Sequence, residues 1–176
     1  MMNIKTWTIA ISIILFFSHI SAGQTNAESF VKFNIKNAGL MVDGNFSDKK
    51  AEIVYNESEP SKSKFSGEIK TTSINTGLGL RDNHLRKKDY FDVTGFPTMT
   101  FKSTVVTAIS PQKLKIIGDL TIKGITKKIV LEVAIAKVQN KTIFSTSFAL
   151  NRRDFKVGGS SWTLSDDLNV FIQIAQ

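Results

Sequence analysis

The chain has 176 residues, 23 basic against 15 acidic side chains for a formal charge of +8, and no cysteine. The missing cysteines exclude disulfides, thiolate metal sites and cysteine nucleophiles. Its lysines are dispersed, the densest run being only Arg86, Lys87 and Lys88, so the charge reads as solvated outer faces and not as a nucleic-acid footprint.

In chain order, residues 1–22 have the three parts of a secretory signal. Lys5 supplies the positive start, and Ser21, Ala22 and Gly23 offer small side chains for cleavage. Between them Trp7 to Phe17 is a nearly apolar run of 11 residues, well short of the ~20 that span a bilayer. An uncleaved anchor is the alternative. Cleavage after Ala22 leaves residues 23–176 as one domain, with the charge of +8 falling to +7 when Lys5 is removed. The expected location is periplasmic or secreted.

From Glu28 onward apolar and polar residues alternate, as they do where one face of a sheet is oily and the other wet. Val31, Phe33 and Ile35 form one such set, and a short piece follows from Met41 to Phe46. Ile53 and Tyr55, after the turn-like Ser47-Asp48-Lys49-Lys50, face Phe65, Gly67 and Ile69 as hairpin partners. Residues 80–91 break the alternation: Asp82 is expected to cap a short helix with Arg81 as its structural partner, and Arg86 to Lys88 suit its C-terminal end. This insertion reads equally as a lid or as a plain connecting helix.

After Gly95 and Pro97, strand spacing resumes over Thr98 to Phe101. Leu114 to Ile122 and Ile129 to Ile135 make two long strands joined at Lys123-Gly124, and Asn140-Lys141 separates the next, Phe144 to Leu150. Leu168, Val170, Ile172 and Ile174 close the chain. About eight antiparallel strands follow, an all-β fold that can remove its edges by closing into a barrel. A two-sheet sandwich is the alternative.

Sites for chemistry are scarce. His84 is the one histidine left once the signal is removed, so a multi-histidine metal site is excluded and a serine hydrolase would depend on that single base. The glycines of Gly77-Leu78-Gly79 lack the third member of a dinucleotide loop, and Ile125 stands where a phosphate loop needs lysine. No cofactor is implied.

Four stretches carry a family resemblance: VKFNIKNAGLMVDGNF from Val31, TGLGLRDNHLRKKDYFDVTGFPTMTFKS from Thr76, GDLTIKGITKKIVLEV from Gly118, and LNRRDFKVG from Leu150 with LSDDLNVFIQI from Leu164. In this order and spacing the chain resembles the YceI-like family of exported bacterial lipid-binding proteins. The resemblance implies an antiparallel eight-stranded lipocalin-like barrel with a short helical insertion, whose interior accepts a polyisoprenoid, a quinone-type or another long-chain amphiphilic lipid. Phe33, Phe91, Phe96, Phe101, Leu120, Leu131, Val133 and Phe148 are the candidates for the tail lining, on whichever parity each strand turns inward. Arg81 and His84, in the RDNHL motif, are the candidates for a headgroup. Asn151, Arg152 and Asp154 are expected to fix a turn, Lys156 replaces the small residue of many relatives, and Trp162 offers either a pocket wall or an interfacial contact.

The function this implies is non-enzymatic sequestration or transport of such a lipid. The alternatives are an enzyme acting on an isoprenoid lipid and a stress-related surface interaction protein that uses the barrel as scaffold. Transient contact with a membrane surface and pairing of two barrels as a homodimer are open; nucleic acid is not an expected partner.

Overall fold

The computed structural model describes residues 28–176, so the signal expected over residues 1–22 lies outside the described residues. Val31, Phe33 and Ile35 share one face of β1 (Phe30–Asn37), which folds back on β2 (Leu40–Phe46) through Ala38 and Gly39. Both turn residues have positive φ, 49° and 83°, the turn whose twist matches that of the flanking strands. Lys123 and Gly124, at 50° and 72°, repeat the device between β7 (Lys113–Ile122) and β8 (Ile125–Val138). The remaining strands are β3 (Lys49–Val54), β4 (Lys64–Lys70), β5 (Ile74–Asn75), β6 (Thr98–Ser110), β9 (Lys141–Asn151) and β10 (Leu164–Ala175), with one α-helix among the described residues, α1 (Gly79–Leu85).

All ten strands belong to one antiparallel sheet, ordered β3-β4-β6-β7-β8-β9-β10-β1-β2-β5, so the two-sheet sandwich is excluded. Ten replaces the expected eight because two long strands are each broken at a corner. β2 runs into β3 across Ser47-Asp48 without pairing to it, and β4 runs into β5 across a short 3-10 turn. Between the broken strands, Ser47 N–H donates to Ser73 O (3.3 Å) and Lys70 N–H to Asp48 O (3.0 Å), carrying the ladder around the bend. The two ends of the sheet are thus continuations of its own interior strands, and the sheet curls back onto itself.

The curl is not uniform. β8 and β9 pair only from Ala134–Ser145 to Val138–Lys141, so the wall parts between them toward the α1 end. Register shifts in β6–β7 at Ser103–Val105 and Ala108–Ser110 bend that pair, as bulges do. β6 continues nine residues past the Phe101 where apolar spacing was expected to stop.

Topology assigns every connection to one of two ends. The β1–β2 turn, residues 76–97 with α1, the β7–β8 turn and residues 152–163 lie at one end, called the looped end. The β3–β4, β6–β7 and β8–β9 connections lie at the other, called the packed end. Two groups of buried side chains fill the interior accordingly: Phe65, Leu114, Ile116, Leu131, Val133 and Phe144 in one, and Val31, Phe46, Ile74, Met99, Ile122 and Phe155 in the other.

Candidate functional site

Two cavities lie inside the curled sheet. The larger has about 170 Å³ of space for the centres of water-sized spheres and is walled by residues such as Val31, Phe33, Phe46, Phe91 and Leu168, with α1 alongside. The second, about 140 Å³ by the same measure, is walled by Phe65, Phe101, Ile116, Leu131, Val133 and Phe144. Val31, Ile69, Met99, Leu120, Phe148 and Ile172 line both, so the two chambers adjoin across this shared set of side chains, called the waist.

The space exists partly because of two glycines inside strands. A Cβ on Gly44 would overlap the Phe33 ring, its cross-strand partner, and one on Gly118 would overlap the Phe101 ring and Lys102 O. Each ring therefore lies against the wall where a side chain would otherwise stand. Phe33 in turn meets Phe46 at 5.8 Å between centroids, and Phe46 meets Phe91 edge to face at 5.8 Å.

Of the residues named from sequence, Phe33 and Phe91 line the first chamber, Phe101, Leu131 and Val133 the second, and Leu120 and Phe148 the waist. Phe96 is not among them. It packs its ring over Gly124, and its carbonyl accepts from Thr71 Oγ1 at 2.9 Å. His84 also stands apart: it is exposed on α1 with its ring against Tyr90 at 4.9 Å, so it lines neither chamber. Tyr90, Met99, Val170 and Ile172 are lining residues that the candidate set lacked. Strand parity was the available signal for the β10 pair, since Val170 and Ile172 alternate with polar or exposed neighbours.

Arg81 does face the first chamber. Its Nε donates to Thr76 Oγ1 (2.7 Å) and its Nη2 to Thr76 O (2.8 Å), and among the described residues no carboxylate pairs with it. Its Nη1 is left without a protein acceptor among the described residues, a charged donor beside an otherwise oily wall. Asp82 is not the expected cap. Leu78 holds that position without a side-chain bond, while buried Asp82 accepts from Thr76 N–H (2.9 Å) and Thr76 Oγ1 (2.5 Å). Asp82 and Arg81 are coupled through Thr76, and this brace fixes the approach to α1.

Arg152 holds the opposite side of the looped end. Buried to 5 % exposure, it gives Nε to Ser165 O (2.9 Å), Nη1 to Val157 O and Gly159 O (both 2.9 Å), and Nη2 to Asp166 Oδ1 (2.7 Å). Asn151 Oδ1 accepts from Arg153 N–H at 3.0 Å, and Asp154 pairs with Lys127 at 2.9 Å. These residues do fix the turn. Lys156 adopts φ 54°, a left-handed conformation in which glycine is least strained.

Lys123 ties three loops together, donating to Lys88 O (2.8 Å) and Lys156 O (3.0 Å). Burial pushes its ammonium below the usual lysine range, partly offset by Asp92 and Asp89. Thr146, on the inward face of β9 between Phe144 and Phe148, is the one described residue whose buried side-chain oxygen has no partner. It sits at the fork, immediately after the last β8–β9 pair. Among the described residues no three His, Asp or Glu side chains are grouped to hold a metal ion.

A family model, the YceI-like domain, matches residues 24–175. A UPF0312 protein of Pseudomonas savastanoi pv. phaseolicola is 31 % identical over 170 residues, covering 85 % of this chain and 88 % of the relative. The crystal structure of the Campylobacter jejuni YCEI protein is 38 % identical with a TM-score of 0.70, over 77 % of this chain and 84 % of that one. A polyisoprenoid binding domain from Saccharophagus degradans has the same fold at a TM-score of 0.69 and 15 % identity, over 84 % of this chain and 93 % of that domain.

Proposed function

The chain belongs to the YceI-like family, and from that premise we propose that it binds, sequesters or transports a long-chain amphiphilic lipid without chemistry, after export to the periplasm. The observation that carries this reading is the pair of adjoining apolar chambers that share the waist residues, with Arg81 facing the first of them. An alkyl or isoprenoid tail gains about 0.8 kcal/mol for each methylene-sized unit taken out of water, so such a lining needs few polar contacts to hold it. The tail runs from the first chamber through the waist into the second. Its polar end stays beside Arg81, whose spare N–H groups suit a phosphate, carboxylate or quinone oxygen.

Polyisoprenoids are the first guests to try, because that is the ligand class for which the Saccharophagus degradans domain is named. An enzyme reading would need a general base within reach of the guest. His84, the one histidine among the described residues, stacks on Tyr90 and lines neither chamber. Native mass spectrometry of gently purified protein, with solvent extraction of what it carries, tests the proposal. A bound lipid with a long apolar tail is expected; protein that is repeatedly empty and takes up no added prenol, quinone or fatty acid overturns it.

A further inference from the structure

Among the described residues ten large hydrophobic side chains are exposed, and half of them crowd the looped end: Leu40 (73 % exposed), Met41 (59 %), Leu78 (52 %), Leu80 (82 %) and Trp162, fully exposed at 105 %. The rest are spread along the outer wall and toward the packed end. Leu40 and Met41 follow the β1–β2 turn, where Ala38 N–H donates to Thr163 O at 2.8 Å and so sets Trp162 beside that turn. Leu78 and Leu80 flank the start of α1, next to Arg81. Asn37 and Leu164 from the first group of elements and Thr76 and Arg81 from the second line the same first chamber. The exposed apolar side chains therefore stand around one chamber, not scattered singly over the surface.

The connections of the two ends differ in charge, with Lys64, Lys113, Lys137 and Lys141 on the strand ends beside the packed-end connections. The looped-end connections 76–97, 123–124 and 152–163 hold eight Lys or Arg and four Asp, a net of +4. The packed-end connections 55–63, 111–112 and 139–140 hold one Lys and two Glu, a net of −1. Apolar side chains that stand clear of a protein surface within a positive field match one kind of partner: a bilayer with anionic headgroups, which attracts the charge and then admits Leu, Met and Trp to its interfacial layer.

We infer that the looped end is a docking face for an anionic membrane surface, with Leu40, Met41, Leu78, Leu80 and Trp162 entering the headgroup layer. This rests on the carrier reading above and adds where the guest crosses: docking places the first chamber and Arg81 against the lipid source, so a tail passes from bilayer to cavity without full exposure to water. Leu80 and Trp162 line neither chamber, so they separate docking from carriage.

Co-sedimentation of residues 23–176, which include every described strand and α1, with vesicles of phosphatidylethanolamine containing about one-third phosphatidylglycerol tests the face. The wild type is expected to bind these vesicles, to bind neutral phosphatidylcholine vesicles weakly, and to release as salt is raised. The double variant Leu80→Ser, Trp162→Ser is expected to lose about tenfold or more in vesicle affinity. Its melting temperature and its uptake of lipid from detergent micelles should stay as in the wild type. Equal binding by both proteins, or a wild type that carries lipid yet ignores the anionic vesicles, overturns the docking face and leaves the carrier reading intact. Self-association abolished by the double variant, with no vesicle binding, assigns the face to a second copy and also overturns it. Vesicle binding that depends on Leu80 and Trp162 in a protein that carries no lipid sustains the face and removes the carrier.

Discussion

The two ends of this barrel are held by different forces. At the packed end, short connections bring Phe65, Tyr55 and Phe144 together, with Phe144 edge to face on each of the others at 5.4 Å. At the looped end, long connections are held by hydrogen bonds to charged groups, Arg152 on one side and the Asp82–Thr76–Arg81 brace on the other. The looped end has apolar packing of its own, with Phe46 between Phe33 and Phe91, and these bonds are added to it at the rim of the first chamber. Directional bonds to backbone carbonyls fix such a rim while leaving the space within it free.

Removing a brace at the looped end should therefore cost more than removing a comparable side chain from the packed end. Arg152→Met leaves the carbonyls of Ser165, Val157 and Gly159 and the Asp166 carboxylate without their donor, and a loss of about 4 kcal/mol in denaturant unfolding is expected. Leu131→Ala at the packed end deletes buried methyl groups beside an existing void, with an expected loss of about 3 kcal/mol and a gain in room for branched guests. Gly44→Ala sharpens the contrast, because the added methyl drives the Phe33 ring into the first chamber only. A cost of roughly 1–3 kcal/mol is expected, together with weaker lipid uptake in titration calorimetry. Thr146→Val replaces an unpartnered buried hydroxyl by a methyl of like shape, and a stability gain of about 1 kcal/mol or less is expected at the fork between β8 and β9.

Much of the barrel was legible as alternation, because a period of two survives whatever the partner strand is. Val31 to Ile35, Leu114 to Ile122 and Phe144 to Leu150 all lie in strands, and the Lys123-Gly124 turn follows from its own backbone chemistry. The turn expected over Ser47-Asp48-Lys49-Lys50 is a corner at Ser47-Asp48 alone, with Lys49 and Lys50 already in β3, and local sequence carries no record of whether the chain then reverses or bends on. That choice is made by the bonds to Ser73 and Lys70, about two dozen residues away. The end of β6 was missed because Val105 and Ile109 face outward, where an apolar residue carries no parity signal for a core.

The chamber linings were more legible on the strands than in the looped segment 76–97, where Arg81 and Phe91 face the first chamber and two other candidates do not. Apolar candidates on inward strands fell into the chambers, whereas Phe96 and His84 belong to the looped segment 76–97, where no period fixes direction. Asp82 shows the limit well: an acidic residue early in a helix suits a cap, yet its carboxylate is engaged by Thr76 across a turn that only the folded chain defines. Thr146 reads in sequence as one more alternating strand residue, and its unpaired hydroxyl becomes visible only when β8 and β9 part.

The most direct measurement is the binding of prenols of increasing length to the wild type and to Leu120→Trp, followed by native mass spectrometry and calorimetry, with thermal melts as the folding control. Leu120 lines both chambers at the waist, so an indole there blocks the passage and leaves the first chamber open. Affinity for the wild type is expected to keep rising as isoprene units are added beyond the first chamber, while the folded variant stops gaining at the length that fills it. The same gain with length in both proteins, or none in the wild type, contradicts a tail threaded through the two chambers.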